Sequence, residues 1–145
     1  MANTVTKTII SEGTQKMVVH FYFESDGNEG ELNNYPLFSP ADCQAPWIPQ
    51  INTNVSPPDG RVKQFTILQA WCSAAWFDLI LSFDGATPAP GVVIARDADF
   101  YMGFCDFGGI KDRTVDAPTG TILVTTRDFA PLGSAGFLVL ELKKN

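Results

Sequence analysis

Residues 71–85 read WCSAAWFDLILSFDG, the densest apolar stretch of the chain, and whether its two aspartates form a catalytic pair or face water decides the fold. From Ala75 onward, Ala75, Phe77, Leu79, Leu81 and Phe83 fall on one side, while Trp76, Asp78, Ile80, Ser82 and Asp84 fall on the other. A period of two belongs to a strand, whose successive side chains point to opposite faces of a sheet. The stretch reads as one long strand with Asp78 and Asp84 on its polar face. At ~3.3 Å per residue those carboxylates stand roughly 20 Å apart. Glycosidase carboxylates work as a pair at roughly 5–10 Å. Asp84 is instead expected to open the turn DGATP.

The same period recurs in MVVHFYFE, where Met17, Val19, Phe21 and Phe23 share a face opposite Val18, His20, Tyr22 and Glu24. SDGNEGE then reads as a hairpin turn, because Asp-Gly is a strong hairpin signal. Further strands are expected in TVTKTII near the N-terminus, and at 61–69, 91–97, 99–107, 120–126 and 136–144. In the last of these Leu138, Leu140 and Leu142 form one apolar row, with Glu141 and Lys143 opposite. Turn-rich segments separate the runs, among them PPDG, DGATPAPG, GGIKDRTVDAPTG and APLGSAG. No segment holds a helical pattern for three turns, and a short turn of helix is expected only near Ser39 to Cys43.

About seven to nine strands without intervening helices predict an all-β, single-domain β-sandwich of jelly-roll or Greek-key type over 1–145. Residues 1–10 form an N-terminal arm or edge strand in this reading. Residues 31–60 form a long loop carrying Pro36, Pro40, Pro46, Pro49, Pro57 and Pro58. A loop of that length in a compact domain is usually functional or packs on a neighbour.

Composition narrows the function. A chain of 145 residues, 45% hydrophobic and 18% charged, is long and apolar enough for one packed core. Acidic residues outnumber basic ones 16 to 10, and no basic stripe is present to displace counterions from phosphates. Neither nucleic acid nor an anionic membrane is an expected partner. MANTVTKTII lacks a basic segment followed by an apolar one, and no apolar run of about 18 residues occurs. Cys43, Cys72 and Cys105 are an odd number at wide spacing, which fits a reducing compartment better than a disulfide framework.

Candidate chemistries fail on spacing. His20 is the single histidine, and no G-x-S-x-G elbow accompanies it, since GSAG at 133–136 has the wrong spacing. Zinc could be built arithmetically from Cys43, Cys72, Cys105 and His20, but the close ligand pairs that pin such sites are missing. In a calcium-loop reading of DGNEGE, Asp26 and Asn28 alternate properly. Gly30, Glu31 and Leu37 then stand where a third oxygen ligand, the turn glycine and the bidentate glutamate belong. DFG within 103–109 lacks every other kinase element. No catalytic, metal or cofactor residue is assigned. Trp47, Trp71, Trp76, Tyr22, Tyr35 and Tyr101 suit sugar stacking or subunit contacts. Trp76 and Trp47 are the ones expected to meet a partner.

In order along the chain, NTVTKTII, MVVHFYFESDGNEGEL, WFDLILSFDG, FGGIKDR, PTGTILVTT and SAGFLVLELKKN resemble a group of small tailed-bacteriophage virion proteins of the capsid-decoration or cement type. The resemblance spans nearly the whole chain, in motifs that are strands and turns. It implies a non-enzymatic β-rich protein, made in the host bacterial cytoplasm and incorporated into the virion. Its partners would be the phage major capsid protein or other head and neck proteins. A homo-oligomer is implied as well, with a trimer suited to a cement role. Many weak contacts on a repeating lattice sum to a firm hold, and the N-terminal arm and long loop are the natural parts to reach a neighbour. Val5, Lys7, Trp47, Ile48 and Trp76 are the expected assembly residues. The alternative is a carbohydrate- or receptor-binding β-sandwich of a phage tail or neck, which needs an exposed aromatic row beside carboxylates or amides.

Overall fold

A computed structural model describes residues 3–44, 62–74, 77–95, 98–129 and 132–145. Within them run β1 (Thr4–Glu12), β2 (Lys16–Glu24), β3 (Tyr35–Phe38), β4 (Phe65–Ala74), β5 (Asp78–Phe83), β6 (Ala89–Ile94), β7 (Ala98–Gly103), β8 (Ile110–Lys111), β9 (Ile122–Arg127) and β10 (Ala135–Lys144). All pairings are antiparallel, in two sheets ordered β1-β2-β10-β4-β7 and β3-β9-β5-β6, with β8 also on β4. Partners nest from the ends inward: β2 with β10, β3 with β9, β4 with β7, and β5 with β6. That nesting is the jelly roll, a folded antiparallel ribbon whose strands alternate between two facing sheets. β1 adds a fifth strand beyond β2.

Alternation fills the space between the sheets. Met17, Val19, Phe21 and Phe23 of β2 and Leu138, Leu140 and Leu142 of β10 are buried there, facing Leu79, Leu81 and Phe83 of β5 and Ile122 and Val124 of β9. Phe38 contacts rings from two strands of the opposite sheet, Phe21 at 6.1 Å and Phe65 at 5.4 Å, and Phe77 meets Phe129 at 4.8 Å. Seven phenylalanines are among the largest fully buried side chains, so this interior is a packed core.

Four local readings need correction. WCSAAWFDLILSFDG is two strands: β4 ends at Ala74 in the larger sheet, and β5 starts at Asp78 in the smaller one. Both halves bury alternate residues, but the phase passes from even positions (Ala70, Cys72, Ala74) to odd ones (Phe77, Leu79, Leu81, Phe83) where the chain crosses between sheets. SDGNEGE makes a turn but not a hairpin, because β2 lies between β1 and β10 while β3 belongs to the other sheet. The tight hairpin is β1–β2, closed by a bond from the Gly13 amide to the Lys16 carbonyl (2.8 Å). β3 lies inside the stretch expected to be a loop; at four residues it is too short to show a period, and Pro36 is tolerated because β3 is an edge strand. The run 99–107 stops being a strand at Gly103 and becomes a 3-10 turn, Cys105–Phe107, ended by Gly108 in the left-handed region. The expected helical turn is present as Pro40–Asp42.

Register shifts occur in four strand pairs of the described residues, and two of them, in the larger sheet, reset the alternation. Glu141 pairs Gln69 while Leu142 pairs Ile67, so Leu68 is the extra residue, and Phe65, Ile67, Ala70, Cys72 and Ala74 can all face inward. In β1 the register slips between Ile9 and Ser11; Ile10 is the extra residue, 59% exposed, and beyond it Glu12 pairs Met17 in the inward phase.

Candidate functional site

Trp47, Ile48 and Trp76 lie outside the described residues. Val5 and Lys7 both sit on β1, the edge strand, opposite Phe23 and Phe21. Val5 is half-buried against the core. Lys7 reaches over the Phe38 ring (5.9 Å to its centroid) to pair with Asp42 at 2.8 Å. A lysine on the inward side of an edge strand obstructs unspecific pairing along that edge. Burial alone would raise the Asp42 carboxyl; the Lys7 ammonium and the Ser39 amide and hydroxyl outweigh it and hold the carboxyl below its usual range.

Several residues weighed for catalysis or metal binding are kept apart by the sheets. His20 faces outward from β2 and stacks on Phe137, ring centroids 5.8 Å apart. Cys72 faces inward from β4, Cys43 is buried with its sulfur 3.8 Å from that of Met17, and Cys105 is exposed. His20 and Cys72 thus occupy opposite faces of one sheet, and no cluster of three metal-ligating side chains exists among the described residues. Burial pushes the Cys43 thiol up to about 11, with Glu12 and Asp42 adding to it and Lys144 opposing. In the 25–31 segment Asp26 accepts the Asn28 and Glu29 amides, both at 2.8 Å, forming a turn that Asn3 also ties down by accepting the Asp26 amide (3.0 Å) and donating to the Gly30 carbonyl (2.9 Å). The bonds from Glu29 and Asn28 lower its carboxyl below the usual range. Asp84 does sit at a turn, where it accepts a bond from the Thr119 hydroxyl at 2.8 Å. A cleft of about 470 Å³ beside Pro40, Val62, Lys63, Pro118 and Thr119 has no carboxylate side chain, histidine or thiol among its described lining residues.

The chemistry that the fold does assemble lies on the outer face of the larger sheet. Register places Thr8, His20, Val139, Trp71 and Tyr101 in one row across five strands. The adjacent row holds Val18, Glu141, Gln69 and Gly103. Trp71 and Tyr101 meet at 5.4 Å with their planes tilted by 37°. The Tyr101 hydroxyl donates to Gln69 Oε1 (2.8 Å), and Gln69 Nε2 donates to Glu141 Oε2 (3.2 Å). Tyr101 and Trp71 were visible in the sequence only as aromatics. Gln69 and Glu141 were visible only as polar positions of alternating strands, since nothing local shows that residues 72 apart become cross-strand neighbours.

A second feature escaped the sequence reading. Lys144 continues the inward row of Leu138, Leu140 and Leu142, with its side chain fully buried. Its ammonium donates to Glu12 Oε2 (3.1 Å) and the Gly13 carbonyl (2.8 Å), fastening the end of β10 to the β1–β2 hairpin. The signal was its phase with the leucines.

No protein-family model, no curated protein and no solved structure matches this chain. Among the described residues no helix is long and apolar enough to cross a membrane.

Proposed function

We propose that this chain is a non-enzymatic bacteriophage virion protein, a capsid decoration or cement protein that binds the head lattice through its N-terminal strand and its long loop. The observation that carries the reading is the placement of β1: nine residues at the edge of the larger sheet, paired with β2 alone among the described residues. A strand with one partner offers a second row of amides and carbonyls to a neighbour that can add a strand there. The inward Lys7 and the bulge at Ile10 guard the same edge against unspecific association. With the interior filled by phenylalanine, the faces and edges of the sandwich are what it presents to a partner, and repetition over a lattice multiplies each modest contact. The jelly roll supports the reading only as a fold used by capsid proteins, lectins and cupins alike. A homo-oligomer, with a trimer as the natural size, and residence in the virion belong to the same proposal.

The test is incorporation into particles. Removal of residues 1–7, and separately replacement of residues within 31–59, should each lower the copy number per particle, while circular dichroism shows the sandwich intact. Unchanged incorporation of both folded variants refutes the reading. Electron microscopy of intact particles would place the chain on the head, neck or tail.

A carbohydrate- or receptor-binding module of a tail or neck is the second reading. It is favoured by the aromatic row of Trp71 and Tyr101 beside the amide of Gln69 and the carboxylate of Glu141.

A further inference from the structure

We propose that the corner formed by Tyr101, Trp71, Gln69 and Glu141 on the outer face of the larger sheet is a binding site for a neutral pyranose of a glycan chain. The proposal rests on the second reading above and names its site and ligand class.

The carrying observation is how Tyr101 is laid down. Tyr101 and Gly103 are both outward residues of β7, opposite Trp71 and Gln69. A Cβ at position 103 would lie 2.8 Å from the Tyr101 hydroxyl oxygen, 3.4 Å from Cζ and 3.8 Å from Cε1. The phenol therefore runs along the strand and covers the glycine. Side chains on a sheet ordinarily stand away from it, and here a missing side chain two residues on lets the ring recline. Its hydroxyl is tied to Gln69, which fixes the angle, and the residue remains 55% exposed. The result is a floor held in place before any ligand arrives, with Trp71 as a tilted wall.

A pyranose has one face of C–H bonds and a rim of hydroxyls. The C–H face suits an exposed aromatic floor, and the rim needs groups that both donate and accept at its edge. Gln69 and Glu141 supply an amide and a carboxylate in the row beside the floor, already linked to each other and to Tyr101. Sign of charge selects among sugars: Glu141 stands in the row beside the floor, nearer to it than the Lys143–Lys16 pair one row further on, and the chain carries a formal charge of -6, so a neutral sugar is favoured over an anionic one. The row of Tyr101 and Trp71 continues through Val139 to His20, which stacks on Phe137. His20 stands two strands from Trp71, about 10 Å away. That span accommodates a chain of two sugar units along the face.

Titration calorimetry of the full chain would use maltohexaose, cellohexaose and chitohexaose as neutral probes and polygalacturonate as the anionic control. At least one neutral probe should bind with Kd of about 1 mM or tighter, and polygalacturonate should not. Tyr101→Ala and Gly103→Ala should each weaken binding by roughly tenfold or more, with unfolding midpoints near that of the parent. Gly103→Ala is the discriminating variant, since it keeps every polar group and only lifts the ring. Failure of all neutral probes at about 10 mM overturns the site and the glycan-binding reading together. Binding that survives both substitutions overturns the site while leaving that reading standing. Sedimentation showing self-association abolished by Tyr101→Ala would instead assign the face to a second copy of the chain and overturn the proposal.

Discussion

Replacing Lys144 by methionine should be among the most damaging single changes available in this protein. Lys144 is fully buried and Glu12 is 6% exposed at the side chain, with 3.1 Å between Nζ and Oε2. Methionine fits the apolar row of Leu138, Leu140 and Leu142 but takes the Lys144 ammonium away from the interior carboxylate of Glu12. The Gln44 amide still donates to Glu12 Oε1 at 2.9 Å, which satisfies hydrogen bonding on that oxygen but not the charge. Removing one partner of a buried pair costs about 3–5 kcal/mol, whereas replacing both with apolar or neutral groups is often close to neutral. Against a total stability of about 5–15 kcal/mol, the single change is a large fraction. With a urea slope near 2 kcal/mol/M, the midpoint should fall by about 1.5–2.5 M. The double variant Lys144→Met/Glu12→Gln should recover most of that loss. Equilibrium urea unfolding at neutral pH, followed by tryptophan fluorescence, measures all three proteins. A loss below about 1 kcal/mol for the single variant, or a double variant as weak as the single one, would refute the view that the broken Lys144–Glu12 pair is the source.

Two further predictions follow from titratable groups. Cys105 is the exposed thiol, whereas Cys43 and Cys72 are buried and Cys43 is raised to about 11, so iodoacetamide at neutral pH should label Cys105 in the native protein. The other two should react only once the protein unfolds; mass spectrometry of the native product finding Cys43 labelled as fast as Cys105 would contradict this burial. Asp42 has a folded carboxyl value below its unfolded one, so the stability it contributes is present above an unfolded value of about 3.9 and is lost as pH falls through the lower folded value. Its partner Lys7 is half-exposed, so solvent screens the pair and the effect is small. Hydrogen exchange should show β1 amides losing protection below about pH 4 earlier than β10 amides do, and Lys7→Ala should remove the difference.

The alternating runs told which face of most strands is buried: Met17 to Phe23, Leu79 to Phe83 and Leu138 to Leu142 all lie inward as their period requires. They told little about where a strand ends. Bulges at Leu68 and Ile10 shift the phase for reasons of pairing, and β3 is too short to have a phase. The site was legible only in parts, because Tyr101, Trp71, Gln69 and Glu141 are gathered by cross-strand register. Gly103 carried no signal at all until the ring above it was seen.

What the sequence determines by itself is a local property, the side of each strand that leaves water, because alternation is written in neighbouring residues and hydrophobic burial acts on it directly. Which strand lies beside which was decided by the tertiary structure alone. β10 joins β2 to β4, and β4 passes to the opposite sheet as β5, because those choices satisfy the backbone edges and the core of the whole sandwich at once. The Lys144–Glu12 pair and the Tyr101 floor exist only as consequences of that order, since each brings together groups that the chain itself keeps far apart or leaves unrelated.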